Sequence, residues 1–404
     1  MAAALDGIVV LDLSRILAGP WCTQILADLG ATVIKIERPG SGDDTRAWGP
    51  PYLKDAEGND TTEAAYYLAA NRGKQSMTLD MASEEGAAVC RELAAKADIV
   101  VENYKLGGLV KYGLDYESLK KVNPKLIYCS ITGFGQTGPY APRAGYDFVI
   151  QGLCGFMSIT GERDDLPGGG PQKAGVAITD LTTGLYSTIA ILAALNHRNN
   201  TGEGQYIDMC LADSAVALMA NMNMNYLTSG IPPKRFGNAH PNLLPYQVFD
   251  TADDPIIIAI GNDAQYRRWC ELAGAPELAD DPRFATAAAR SQNAGELVKT
   301  MKELSSQTKL ADFLRVAEEH DLPASPVNSI ADLPNDAQIK NNKIFVERTH
   351  PVMGKVREVR PAARFSDTEL RVSAPAPMRG EHSDDIVREI GLDPVALREA
   401  GAIF

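Results

Sequence analysis

Along "GIVVLDLSRILAGPWCTQILADLGATVIKIERPG" (residues 7–40) the apolar positions change period twice. Ile8 to Leu13 is a short apolar run, Pro20 to Leu29 places its apolar residues at helical spacing, and Thr32 to Glu37 is β-branched and alternating. The pattern predicts strand, loop, amphipathic helix, strand: one βαβ unit. Similar units recur at 86–101, where "EGAAVCRELAAKA" leads into "DIVV", and at 115–131, where "YESLKKV" leads into "KLIYCSI". Repeated βαβ units predict an α/β fold, a Rossmann-like large domain whose parallel sheet carries helices on both faces and suits a nucleotide-bearing ligand.

Residues 184–196 read as a helix, and "TGEGQYIDMCLADSAVALMANMNMNYL" as a glycine turn, a strand and a second helix. The texture changes after the proline- and glycine-rich "SGIPPKRFGNAHPNLLPY". There "YQVFDTADDPIIIAIGND" reads as two strands around an Asp-rich turn, and short helices fill 263–320. The expected organisation is the large domain over 1–205, a linker over 206–224, and a smaller α+β domain over 225–330. Residues 331–404 are a linker and a C-terminal part returning to the large domain, with a strand-like "VREVRPAARF" and a helical "SDDIVREIG".

Composition narrows the partners. The 404 residues carry a net charge of −13, and no lysine or arginine block interleaves with aromatics, so neither nucleic acid nor an anionic membrane is an expected partner. The start of the chain has no cationic segment followed by a long apolar core, which points to a cytoplasmic location. Six single cysteines without a CxxC pair, and five scattered histidines, predict buried thiols and no metal site. The cluster "PGSGDDTR" (39–46) follows a strand but lacks GxGxxG spacing, and GxxxxGK[ST], GxSxG and HExxH are absent.

One carboxylate stands out. In "KAGVAITDLTTGLYS" (173–187), Asp180 lies among Thr179, Thr182, Thr183 and Gly184, just before an alanine-rich apolar run. On position alone a helix N-cap is the leading reading. First-turn amides and the helix dipole would then hold the carboxylate ionised, in a state able to attack an activated acyl group.

"RILAGPWCTQILADLGATVIKIERPGSGDDTR", "VVENYKLGGLVKYGLDY", "LIYCSITGFGQTGPYAPRAGYD" and "TDLTTGLYS…GQYIDMCLADS" together resemble the class III coenzyme A transferases, over nearly the whole chain and most strongly from 5 to 215. The resemblance implies that Asp180 is the nucleophile, forming an aspartyl-acyl anhydride and then an aspartyl-CoA thioester. It implies an interlocked homodimer, CoA thioesters as substrates and no bound cofactor. A glycine-rich loop would close over the intermediate; its counterpart here is "IGNDAQ", with Gly261, Asn262, Asp263 and Gln265, departing from an all-glycine loop at Asn262 and Asp263. Arg38, Asn103, Tyr104 and Lys111 match positions that bind the nucleotide end, with Arg72 and Lys74 as further candidates. Arg15, Ile16, Leu17, Arg46, Trp48, Arg143, Tyr146 and Asp147 would line the acyl and acceptor pocket.

Within the family the chain looks most like the subgroup that uses succinyl-CoA with dicarboxylates such as glutarate. Leu17 stands where several formyl and oxalyl specialists carry glutamine, and Arg46, Arg15 or Arg143 would grip the distal carboxylate of the acceptor. The related α-methylacyl-CoA racemases use a histidine where this chain has Tyr146, and a tyrosine with a reference pKa of about 10 is a poor base for an α-proton. A racemase, a CoA-dependent dehydratase and a non-catalytic CoA-binding module are the rival readings.

Overall fold

The computed structural model describes residues 3–55, 57–350, 352–370 and 374–404. The chain divides into two compact units. One comprises the chain through Phe156, Ala174–Gly230 and Lys340 onward; the other comprises Met157–Lys173 and Ile231–Ile339.

The first unit is built on six strands: β1 (Val9–Asp12), β2 (Thr32–Glu37), β3 (Gln75–Thr78), β4 (Ile99–Glu102), β5 (Ile127–Thr132) and β6 (Tyr206–Cys210). They lie in the order β3-β2-β1-β4-β5-β6 with every pairing parallel. Alternate residues feed two cores: Leu11, Ile34, Met77 and Val100 face one side, Val10, Val33, Ile99 and Val101 the other. Burial on both faces explains the near-continuous apolar runs of the sequence. The strand order reverses between β1 and β4, and in such sheets ligands bind outside the carboxyl ends of the strands at that point.

Three helices frame this crevice: α1 (Ala18–Asp28), α2 (Asp147–Leu153) and α3 (Ile178–Thr201). α1 crosses α3 at Gly184, where a Cβ would lie 2.7 Å from the carbonyl oxygen of Ala18, so only glycine permits this approach. α3 begins six residues ahead of the expected 184, and its apolar length meets the criterion for a membrane span. Half of that apolar window is nonetheless buried inside the unit, as in the core helix of a globular domain.

Residues 206–224, read as a linker, instead hold β6 at the sheet edge and two helices, Leu211–Leu218 and Ala220–Ser229. The strand read within "TGEGQYIDMCLADS" is present, and its pairing with β5 makes the stretch part of the sheet rather than a connection. The opposite edge is covered by the C-terminal part of the chain. The amide of His382 donates to Ser76 O (2.9 Å), and the Thr78 hydroxyl donates to Phe404 O (2.6 Å). The tail's strands are Phe345–His350 and Gly354–Val359, an antiparallel hairpin, and "SDDIVREIG" forms the helix Ser383–Glu389.

The second unit holds a three-stranded antiparallel sheet of β7 (Tyr246–Asp250), β8 (Pro255–Ala259) and β9 (Ala324–Pro326), with β8 central. Ile256 and Ile258 bury one face of β8 against Trp269 of α4 (Asp263–Leu272), with Phe249, Leu297 and Met301 completing the core. The two strands predicted around the Asp-rich turn are β7 and β8. Residues 157–173, far from this unit in sequence, complete it.

Candidate active site

Asp180 is not the cap of α3. It is the third residue of the helix, and the preceding Ala177 provides no side-chain cap. The cap comes from α2. One oxygen of Asp147 accepts from the Thr179 amide (2.8 Å), the Thr179 hydroxyl (2.6 Å) and, at 3.4 Å, the Asp180 amide. Its other oxygen accepts from Gln151 (2.5 Å), whose carbonyl is fixed in turn by the amide of Ala174 (2.9 Å). Because Asp147 takes the first-turn donors, none remains for the side chain of Asp180. No described residue donates to that carboxyl. Burial pushes its pKa up, the negative Asp147 adds to the effect, and together they bring it to about 7. The expectation of a carboxylate held low by helix amides is therefore reversed.

Asp147→Asn is expected to keep an acceptor for the Thr179 amide but remove the charge facing Asp180. The Asp180 carboxyl then drops below pH 7, and the acid limb of any reaction needing its carboxylate moves down by up to about one pH unit. A pH–rate profile of wild type and variant measures this directly; an unmoved limb would leave burial alone as the cause.

Asp180 opens into a cavity of about 380 Å³ at the carboxyl ends of β1, β4 and β5. It brings together Arg15, Ile16, Leu17, Asn103, Tyr104, Arg143 and Tyr146, all expected from sequence. The Arg143 guanidinium stacks 3.8 Å from the centroid of Tyr140, and Arg15 pairs with Asp44 at 2.8 Å, so both cations are oriented at the cavity wall. Tyr104 also borders an adjoining cavity of about 290 Å³, lined by Arg15, Lys35 and Arg38 together with Glu37, Asp43 and Asp80. Lys111 is exposed beside it in sequence on the turn Val110–Tyr112, its amine 4.5 Å from the Tyr112 ring.

Three other predicted cations are tied elsewhere. Arg46 is 4 % exposed. It makes two 2.7 Å bonds to Glu37, contacts Glu63 and lies over the Tyr67 ring, so its guanidinium is fully engaged and lines no part of the Asp180 cavity. Arg72 grips Asp28 with two nitrogens (2.9 and 2.5 Å). Lys74 is buried against Asp12 (3.0 Å), Asn71 and the Pro20 carbonyl, and burial lowers its pKa to about 8. Trp48 packs edge-on against Tyr66 at 5.1 Å.

Tyr66 is a residue the sequence did not point to. After burial, the charges of Asp180 and Asp147 raise its hydroxyl pKa, which marks it as a neighbour of both. Nothing in "EAAYYLAAN" separates Tyr66 from Tyr67, since only their opposite environments distinguish them. Gln151 was missed for the same reason.

The "IGNDAQ" loop belongs to the second unit and is locally stapled. Gly261 donates to the Gln265 carbonyl (2.8 Å), and Asn262 caps α4 by accepting from the Gln265 amide (2.9 Å). Asp263 pairs at 2.7 Å with the buried Arg290, which also donates to the carbonyls of Leu244 and Phe284. This reciprocal capping suits Asn, Asp and Gln where an all-glycine loop has no side chains. Cys22 and Cys90 are buried, which pushes both thiols up to about 12 and leaves them inert. Among the described residues no group of three or more His, Cys, Asp or Glu is arranged to hold a metal ion.

A doubly wound sheet with strand order reversing at β1/β4, and a half-buried carboxyl facing a cation-lined cavity there, define an α/β protein with a carboxyl-centred candidate active site. The chain belongs to CoA-transferase family III, whose family model matches residues 5–383. It is 51% identical over 386 residues to the succinate–glutarate CoA-transferase of Agrobacterium fabrum, covering 96% of this chain and 95% of that one. With the succinyl-CoA:glutarate CoA-transferase of Mus musculus it shares 42% identity over 386 residues, covering 96% and 86%. The crystal structure of a CAIB/BAIF family protein from Brucella suis matches with a TM-score of 0.85 at 51% identity, covering 96% of this chain and all of that one. The family resemblance carried by the sequence motifs is thereby shown.

Proposed function

We propose that the protein transfers CoA from succinyl-CoA to a dicarboxylic acid acceptor, glutarate in the first instance, with Asp180 as nucleophile. The observation that carries the mechanism is the Asp180 carboxyl: half-buried, free of hydrogen bonds from described residues, and open to a cavity large enough for an acyl chain. The substrate reading is supported by the activities named for relatives that share up to 51% of residues over nearly the whole chain.

In the reaction, an Asp180 oxygen attacks the thioester carbon of the donor and CoA leaves as thiolate, giving a mixed anhydride. The thiolate then attacks the aspartyl carbonyl, releasing succinate and leaving CoA on Asp180 as a thioester. The acceptor carboxylate attacks that carbonyl and expels the thiolate. Attack of the thiolate on the acceptor half of the second anhydride yields the new acyl-CoA and restores Asp180. Each step exchanges one acyl oxygen or sulfur for another, and a poorly solvated carboxylate is a stronger nucleophile than one in water.

Arg15 and Arg143 are the cations placed to meet the distal carboxylate of a dicarboxylate within this cavity, and Arg38 with Tyr104 to meet the nucleotide end of CoA in the adjoining one. The homodimer is part of the proposal. It is supported by uncovered apolar side chains on the first unit, among them Phe148, Val149, Leu153 and Ile189, each more than half exposed. So is a cytoplasmic location, which suits six unpaired cysteines.

Intact-mass measurement after mixing with succinyl-CoA tests the proposal. Wild type should gain a CoA-sized or succinyl-sized adduct that hydroxylamine removes, and Asp180→Ala should gain none. An adduct that survives in the variant would move the nucleophile to another residue, and none on wild type with succinyl-CoA while solvent deuterium enters a 2-methylacyl-CoA would replace transfer by acid/base chemistry.

A further inference from the structure

Ile16 has φ +73°, in the left-handed region. For a β-branched residue this is a true outlier, because Cβ crowds the following carbonyl, and it persists only where the surroundings impose it. Here four side chains hold the main chain of Ser14–Ile16. Asp12 accepts from the Ser14 amide (3.0 Å), and Lys35 donates to the Ser14 carbonyl (2.9 Å). Asn103, at the end of β4, embraces Arg15 by accepting from its amide (2.9 Å) and donating to its carbonyl (2.6 Å). Asp43 accepts from the Ile16 amide (3.3 Å) and is itself fixed by a 2.8 Å ion pair to fully buried Lys35 and by Thr45.

The turn so held leads into α1, whose first residues wall the Asp180 cavity. Ala18 touches α3 at Gly184, which lies one turn after Asp180 on the same face of the helix. The position of Ile16–Ala18 therefore decides how closely that wall covers the Asp180 carboxyl.

Resting on the function proposed above, we infer that Asn103 and Asp43 are positioning residues: they hold Ile16 left-handed so that residues 16–18 close over Asp180 and keep water from its carboxyl. The charged and titratable side chains that share the cavity with that carboxyl are Arg15, Lys105, Arg143 and Tyr146, and Asp147 and Tyr66 are its electrostatic neighbours. Asn103 also holds the main chain of Arg15, so the variant series is repeated with Arg15→Met, in whose background the shift should persist. The resemblance to CoA transferases gives Asn103 a part in nucleotide binding, and the two roles separate by experiment.

The test compares wild type, Asn103→Ala, Ile16→Gly and the double variant, each with and without Asp180→Asn. The pH at which the stabilisation by Asp180→Asn stops growing reports the Asp180 titration in the folded chain without needing turnover. Adduct formation with succinyl-CoA reports the chemistry. Asn103→Ala should move the titration from about 7 down by about one pH unit as the wall opens. It should also slow adduct formation by roughly 10-fold or more, with the KM for succinyl-CoA within about twofold of wild type.

Glycine adopts the left-handed region freely, so Ile16→Gly in the Asn103→Ala background should return the titration toward the wild-type pH, a coupling that simple loss of a structural bond would not show. An unmoved titration, a raised KM with an unchanged rate, or no rescue by glycine would each overturn the inference. Failure of wild type to form any adduct would overturn the functional proposal instead and leave the titration readout standing. Asn103→Ser, which is neutral and too short to hold both the amide and the carbonyl of Arg15, should show the same shift at smaller amplitude and carries the test if Asn103→Ala does not fold.

Discussion

Asparagine in place of Asp180 will stop CoA transfer, with a loss of at least about 10³-fold in turnover, because no other described carboxyl both lines the cavity and lacks hydrogen-bonded partners. The same substitution will stabilise the protein above pH 7. The sign follows from proton linkage. An acid whose folded pKa is raised binds its proton more tightly in the native state, so stability is lost as pH rises from the unfolded value of about 4 to the folded value of about 7 and stays lost above it. Asparagine removes a cost that reaches at most about 4 kcal/mol when the carboxylate is fully ionised and fully shielded. Thermal melts of both proteins from about pH 4 to 9 should nearly coincide at the acid end, separate between about pH 4 and 7, and keep a constant gap above 7. Curves that coincide throughout would show that Asp180 titrates as an ordinary exposed carboxylate.

Arg46→Met should give the largest loss of stability, about 3–5 kcal/mol at neutral pH, seen as a lower denaturation midpoint. Removing the guanidinium strands Glu37 and Glu63, both almost fully buried and both bonded to it. In the native protein burial raises the Glu37 pKa, but Arg46 and Lys35 outweigh it, so the net shift is downward and this group stabilises the fold above its unfolded value. For Glu63 burial prevails and the shift is upward, which offsets part of that gain. Without Arg46 both carboxyls move up, so the deficit should be greatest above about pH 6 and shrink toward pH 4, where both can protonate. A variant equal to wild type in stability but selectively weak toward dicarboxylates would restore Arg46 to the substrate pocket.

Most of the first unit was legible from sequence, since its strands are buried on both faces and its helices on one. Thr32–Glu37 is a strand at the expected bounds, and α1 differs from the expected helix by two residues at its start and one at its end. Where the pattern misled, one element was completed by another distant in sequence. β6 was read as a strand but assigned to a linker, and only its pairing with β5 makes it the sheet edge; residues 157–173 join a unit whose other members begin at Ile231. α3 starts early because its capping carboxylate lies on α2, some thirty positions away.

Within the site the same division holds. The sequence by itself determined the parallel α/β architecture, because period and β-branching record which faces are buried. It also determined the family, because several motifs in fixed register record a shared ancestry, and it singled out Asp180 as the carboxyl to watch. Only the tertiary structure decided the state of that carboxyl. Protonation depends on what surrounds a group in space, and here Asp147 takes the helix amides and leaves the Asp180 carboxyl half-buried, without a donor among the described residues and beside a negative charge. It likewise decided which arginines are free to meet a substrate. Arg46 and Arg143 are equivalent cations in the sequence, and only the fold places two glutamates around one and a cavity beside the other.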